Sequence, residues 1–282
     1  MIRLPAPPRF PTASDLRRLA TAIRLRAVRM VAPHGLGYLG QALSAAEQYA
    51  AVYGAALRPG TDRVICSPAH YVIAAYAAAA ETGLLDEAAL AGYGRDGSAL
   101  EAIGNERSPV PDYTCGSLGQ GLSAAAGFAL ADRLRGRLEA RAFAFLSDGE
   151  LQEGQVWEAA MFAAHYRLDR LTVLLDANNS QVDGPVDSIT TIEPVAAKWR
   201  AFGWDAVDLD GHDVAAVAVA LADGAGGPDK AAGPRILVCR TSTRHGLACL
   251  PPDADGHFIK LPADLAAAAD AELSQELARH DR

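Results

Sequence analysis

Asp148 and Asn178 stand at the ends of two apolar runs, RAFAFL over residues 141–146 and LTVLLD over residues 171–176. Each run reads as a buried strand. A carboxylate and an amide carbonyl are hard oxygen donors. Side by side, with Gly149 next to the acid, they suit a magnesium ion that keeps further positions for water and phosphate oxygens. Each residue also has a plainer reading. Asp148-Gly149 is an ordinary turn sequence, and Asn178-Asn179 suits a loop whose side chains bond the main chain.

The segment between the runs favours the pair. Residues 153–168 are rich in helix formers, with apolar positions at helical spacing. A strand, helix and strand of this length place two parallel strands side by side through a right-handed crossover. Both residues then sit beyond the carboxyl ends of their strands, on the rim where open α/β sheets bind ligands.

Other chemistry-bearing residues are weaker alone. GSLGQG at 116–121 is a glycine-rich helix start, where exposed amides and the helix dipole favour an anion. Close helix packing accounts for it equally well, and it is neither GxGxxG nor a P-loop. His70 follows a strand, a place where a lone histidine is more often structural. His257 lies in a loop, ADGHF, and Cys115 has no base partner and reads as a small buried apolar residue.

The remaining elements form a scaffold for these residues. Residues 1–13 read as an extended, proline-rich lead-in, followed by a helix from Ser14-Asp15 to about 32, with Ser14 as cap. A glycine-punctuated turn occupies 36–40. Helices are expected over 42–56, 70–82, 121–135, 194–202 and 214–222, and strands over 63–66, 205–209 and 235–240. Residues 100–114 read as irregular, 223–233 as a Gly/Pro/Ala surface loop, and 251–282 as a proline-containing tail that becomes helical. Alternating helices and strands, without a separating linker, predict a single α/β domain over 1–282. Its sheet is mainly parallel, with helices on both faces.

Of the 282 residues, 50% are hydrophobic and 21% charged, and the formal net charge is −8. That composition supports a large core. An acidic chain without a basic block is a poor nucleic-acid binder. The four scattered cysteines, Cys66, Cys115, Cys239 and Cys249, include no CxxC pair. They argue against a disulfide framework or zinc site and fit a reducing compartment. No apolar run reaches the roughly 18–20 residues of a membrane helix, and the prolines near the start do not suit a signal peptide. The expected location is cytoplasmic.

Several motifs in order resemble the amino-terminal half of transketolase, above all the separate N-terminal subunit of two-chain bacterial transketolases. Residues 147–184 resemble the thiamine diphosphate motif, which opens with Gly-Asp-Gly and closes with Asn. SLGQGLS (117–123) is similar to the family's phosphate-side loop. DRVICSPAH (62–70) resembles its segment ending in Ser-Lys-Gly-His, and EPVAAKWRAFGWDAVDLDGHD (193–213) its next helix and strand.

The resemblance implies a thiamine diphosphate-binding fold of the diphosphate-domain type, with thiamine diphosphate and Mg2+ as cofactors. Asp148 and Asn178 would bind the metal through side chains and Ser180 through its carbonyl. Gly149 and Glu150 would line the diphosphate. Gly116, Ser117 and Leu118 would approach the cofactor with backbone, and Asn178 would also border it. His70 and His257 would face the cofactor and the reacting carbons. Glu153 matches an acid at the family's subunit interface, although a helix-start carboxylate is its simpler reading.

Three positions depart from the pattern. The first Gly of Gly-Asp-Gly is Ser147. The turn Gly-His-Pro-Gly-Gly-Ser is here Gly37-Tyr38-Leu39-Gly40-Gln41-Ala42, and a Gly-His-Pro segment is Gly104-Asn105-Glu106. Tyr38 and Asn105 thus replace two substrate-facing histidines. Neither shuttles a proton near neutral pH as histidine does.

The resemblance implies ketol transfer from a ketose-like donor to an aldehyde acceptor, with altered substrates. It also implies a separate C-terminal partner subunit carrying the pyrimidine-binding and C-terminal domains, in an α2β2 assembly. Alternatives are a 2-oxo acid decarboxylase or dehydrogenase component, and a non-catalytic regulatory or scaffolding subunit. A nicotinamide-binding domain fails on the missing GxGxxG.

Overall fold

The computed structural model describes residues 12–223 and 233–280, so most of the proline-rich lead-in and of the 223–233 loop lies outside the described residues. The chain begins with α1 (Ala13–Val31), β1 (Leu36–Gly37), α2 (Leu39–Ala51), β2 (Arg63–Pro68) and α3 (Val72–Glu81). Then follow β3 (Tyr113–Cys115), α4 (Gly121–Leu134), β4 (Ala142–Ser147), α5 (Gly154–His165), β5 (Leu171–Ala177), α6 (Val186–Ile189) and α7 (Val195–Ala201). Last come β6 (Asp205–Asp210), α8 (Val214–Asp223), β7 (Arg235–Arg240), β8 (Ile259–Lys260) and α9 (Ala263–His280).

The cap of α1 is Thr12, not Ser14. Its hydroxyl accepts from the Asp15 N–H and the Asp15 carboxylate accepts from the Thr12 N–H, each at 3.1 Å. This reciprocal box satisfies two N–H groups at once, which a single Ser14 hydroxyl does not.

Six strands form one sheet in the order β3-β2-β4-β5-β7-β6, and every pairing in it is parallel. The apolar runs explain this. Alternate residues of one strand enter opposite cores: Phe143 and Phe145 of β4 join α1, α2, α3, α8 and α9, while Ala142, Ala144 and Leu146 join α4, α5 and α7. A strand buried on both faces must be apolar throughout, as parallel strands between helix layers are.

From β2 the chain leaves toward β3, and from β4 it leaves the other way toward β5. The strand order therefore reverses between β2 and β4, and a crevice opens at their carboxyl ends. A second, two-stranded ribbon joins β1 to β8, with Gly37 opposite Ile259. It ties the start of α2 to the segment after His257. β1, β8 and the short β3 went unrecognised in the sequence because two or three residues carry no periodicity.

Candidate active site at the strand tips

β4 and β5 are in register, with Ser147 opposite Asp176. The turns that follow bring the two predicted ligands together. Asp148 is 2% exposed. One of its oxygens accepts the Gly149 N–H at 2.9 Å and the other the Asn179 N–H at 2.5 Å. Asn179 adopts φ +57°, a left-handed turn that asparagine tolerates.

Asn178 is oriented from below. Its Nδ2 donates to Asp176 at 2.8 Å and to the Tyr71 hydroxyl at 3.1 Å. Its Oδ1 is thereby turned the other way, where it accepts the Ser180 N–H at 2.9 Å. Asp176 is fully buried and also receives hydrogen bonds from Ser44 at 2.5 Å, Tyr71 at 2.8 Å, Gln48 at 3.3 Å and Thr241. This brace leaves no local pattern in the sequence, because its donors come from α2, from the turn before α3 and from the end of β7.

Burial, and then the nearby Asp176, push the Asp148 carboxyl up to about 7. Its protein partners are main-chain amides and no cation. A divalent ion would supply the missing positive charge, and Asn178 Oδ1 keeps a lone pair for the same ion. The donor set therefore fits magnesium.

Glu150 departs from its expected place beside the diphosphate. Its carboxylate is completely buried, accepting from the Ser67 hydroxyl at 2.6 Å, the Gly119 N–H at 2.8 Å and the Ser147 N–H at 3.1 Å. It clamps the tip of β2, the glycine-rich loop and the tip of β4 across the crevice. Burial raises it to about 7, with these donors opposing. Gly121 has a packing reason: a Cβ there would meet the Ser67 side chain at 2.3 Å. The close-packing reading of that glycine holds, while Gly116 lies open beside the crevice, with only Ile103 within 4 Å of an added Cβ.

A cavity of about 260 Å³ opens above these turns, lined by His70, His257, Tyr38, Gly116, Leu118, Gly149 and Ser180 among others. The ring centroids of His70 and His257 lie 4.9 Å apart. Tyr38 packs on both, at 5.1 Å and 5.8 Å, and edge-on against Phe258 at 5.0 Å. The β1–β8 ribbon makes this meeting possible, since Tyr38 follows one strand and His257 precedes the other. Burial, then its neighbour His257, lowers His70 to about 3. Burial also lowers His257, with Asp255 and a hydrogen bond from the ring to the Ser180 main chain opposing. Both rings are neutral at pH 7.

Ser117 is exposed on its loop. Asn105 is absent from the cavity lining: its Oδ1 accepts the Arg107 N–H at 2.9 Å, and its own N–H donates to Ser108 at 3.0 Å, closing a local turn. Glu153 is exposed at the start of α5.

A second cluster, Glu47, His212 and His245, has three potential ligand atoms within 4.8 Å of one another. Its bonds are already used. Glu47 pairs with Arg24 at 2.5 Å, and His212 has Nδ1 on Glu47 at 3.1 Å while its Nε2 accepts the Ser242 N–H at 2.9 Å. With a guanidinium in place, it is a buried ion pair.

No helix among the described residues is long and apolar enough to cross a membrane. The family model for the transketolase thiamine diphosphate-binding domain matches residues 16–274. The chain is 38% identical over 258 residues to a transketolase family protein of Sinorhizobium fredii, covering 88% of this chain and 91% of that one. It is 35% identical over 271 residues to a 6-deoxy-6-sulfo-D-fructose transketolase subunit of a Clostridium species, covering 93% and 97%. The fold superposes on transketolase from Campylobacter jejuni with a TM-score of 0.78 at 21% identity, spanning 94% of this chain and 48% of that one. With the parallel sheet and the ordered motifs, these likenesses establish that the chain belongs to the transketolase family, as its thiamine diphosphate-binding domain.

Proposed function

We propose that the chain is the N-terminal, diphosphate-binding subunit of a split transketolase-like enzyme, moving a two-carbon ketol unit from a ketose-like donor to an aldehyde acceptor. The observation that carries this reading is one cavity lined by His70, His257, Gly149 and Ser180, with Asp148 and Asn178 in the two turns that carry Gly149 and Ser180. A relative of nearly the same span is named a transketolase subunit, whereas a whole transketolase is about twice as long.

In this reading Asp148, Asn178 and the Ser180 carbonyl hold Mg2+, while Gly116, Ser117, Leu118 and Gly149 border the cofactor. Thiamine diphosphate, when bound, supplies the nucleophilic carbon that opens and re-forms a C–C bond. His70 and His257, being neutral, face the substrate oxygens, hydrogen-bond them and exchange protons with them. Tyr38 in place of a histidine leaves a hydroxyl that hydrogen-bonds but does not relay protons near pH 7. The substrates accordingly differ from the usual ketose phosphates. Exposed apolar residues at the cavity mouth, Ile103, Leu118 and Val182, suit a covering surface. A separate C-terminal subunit with the pyrimidine-binding and C-terminal domains would supply it, in an α2β2 complex, in the cytoplasm.

The test is co-expression with such a subunit. We expect Mg2+-dependent thiamine diphosphate binding, measured by calorimetry, and ketol transfer from hydroxypyruvate to a panel of aldehydes. Asp148→Ala should abolish binding. Tight binding with turnover of pyruvate alone would favour a 2-oxo acid decarboxylase, and no binding at all would leave a scaffolding subunit.

A further inference from the structure

Gln41 lies in the first turn of α2 and is 1% exposed. Its Nε2 stands 2.9 Å from the main-chain oxygen of His257 and 3.1 Å from His257 Nδ1. The carbonyl can only accept, so the atom facing it must be the amide NH2. That group has two hydrogens, one for each partner. Nδ1 is therefore an acceptor, and the single proton of the neutral ring sits on Nε2. The Gln41 Oε1 atom is buried without a hydrogen-bond partner, so the amide is held by its donor side alone.

We propose that Gln41 is a positioning residue that locks His257, in the cavity wall, in the Nε2–H tautomer and so fixes which ring nitrogen carries the proton. The similar turn in transketolases has glycine at this position, which has no side chain to do so. The device belongs with the neighbouring change at Tyr38, which packs edge-on against the same imidazole at 5.8 Å. Its value to the reaction rests on the reading of His257 as a substrate-facing group.

The tautomer is read directly by 15N NMR on the full chain with labelled histidine, using His257→Asn to assign the signal. The wild type should show an unprotonated Nδ1 and a protonated Nε2. Gln41→Leu should shift the tautomer ratio by about fivefold or more, the weight of one lost hydrogen bond. Gln41→Glu, whose carboxylate accepts, should move the proton to Nδ1. An Nδ1–H form in the wild type, or an unchanged tautomer in both variants, would overturn the proposal. If Gln41→Leu fails to fold, Gln41→Asn breaks the same contact by shortening its reach. In the complex with the C-terminal subunit, Gln41→Leu should lower kcat more than it raises KM. Full activity in His257→Asn would retire the catalytic reading of His257 while leaving the tautomer result intact.

Discussion

At Asp176, burial raises the carboxyl's pKa and a ring of hydroxyl and amide donors opposes it. The result is a fixed platform that turns the Asn178 amide oxygen toward Ser180. The placement of Asp148 and Asn178 at neighbouring strand tips was legible in the sequence because the flanking apolar runs and the helix-length spacing agreed. Asp176, Gln41 and Glu150 were not, because each acts through partners far along the chain. Glu150 shows the difference most clearly: its place in the motif suggested the diphosphate, yet its partners are Ser67, Gly119 and Ser147. Glu150→Ala would strand three buried donors. It should destabilise the chain by about 3 kcal/mol, at roughly 1 kcal/mol or more for each unmet group. A denaturant midpoint within error of wild type would contradict that role.

Among the elements, the long parallel strands and the helices between them were readable from apolar runs and periodicity. The β1–β8 ribbon was not, although it carries both Tyr38 and His257 to the crevice. The start of α2 is packed tightly against the loop preceding β8. A Cβ on Gly40 would lie 1.9 Å from the Gly256 carbonyl oxygen, a backbone atom that cannot swing aside. Gly40→Ala should therefore push the His257 loop away, destabilising the chain by about 2 kcal/mol through overpacking. On the proposed function, activity of the complex with the C-terminal subunit should fall by up to about a hundredfold, the cost of an ångström of misplacement. Thermal unfolding and turnover measured on one preparation would separate the two effects.

Across the whole molecule, the layer that holds α1 and α2 is also pinned to the edge of the sheet beyond β6. Glu47 on α2 binds Arg24 of α1 and His212 beyond β6. Burial works to raise this carboxyl, but Arg24 and His212 outweigh it and bring it down to about 2. Its folded pKa lies below the unfolded value, so its stabilising effect is full above about pH 4.5 and fades as the pH falls toward 2. The loss across that window is about 3 kcal/mol. Glu47→Gln should unfold with a shallower acid limb than wild type between pH 4.5 and 2, whatever its stability at pH 7. Equal slopes by circular dichroism would rule the ion pair out as the source.

The pairing of Gly37 with Ile259 has a bearing on how the protein is made. Every strand of the large sheet precedes residue 259 in the chain, the last of them ending at Arg240. The scaffold can therefore collapse while Tyr38 still lacks its neighbour. Closing so long a stretch of polypeptide is slow compared with local pairing, which makes completion of the pocket a late event in biogenesis.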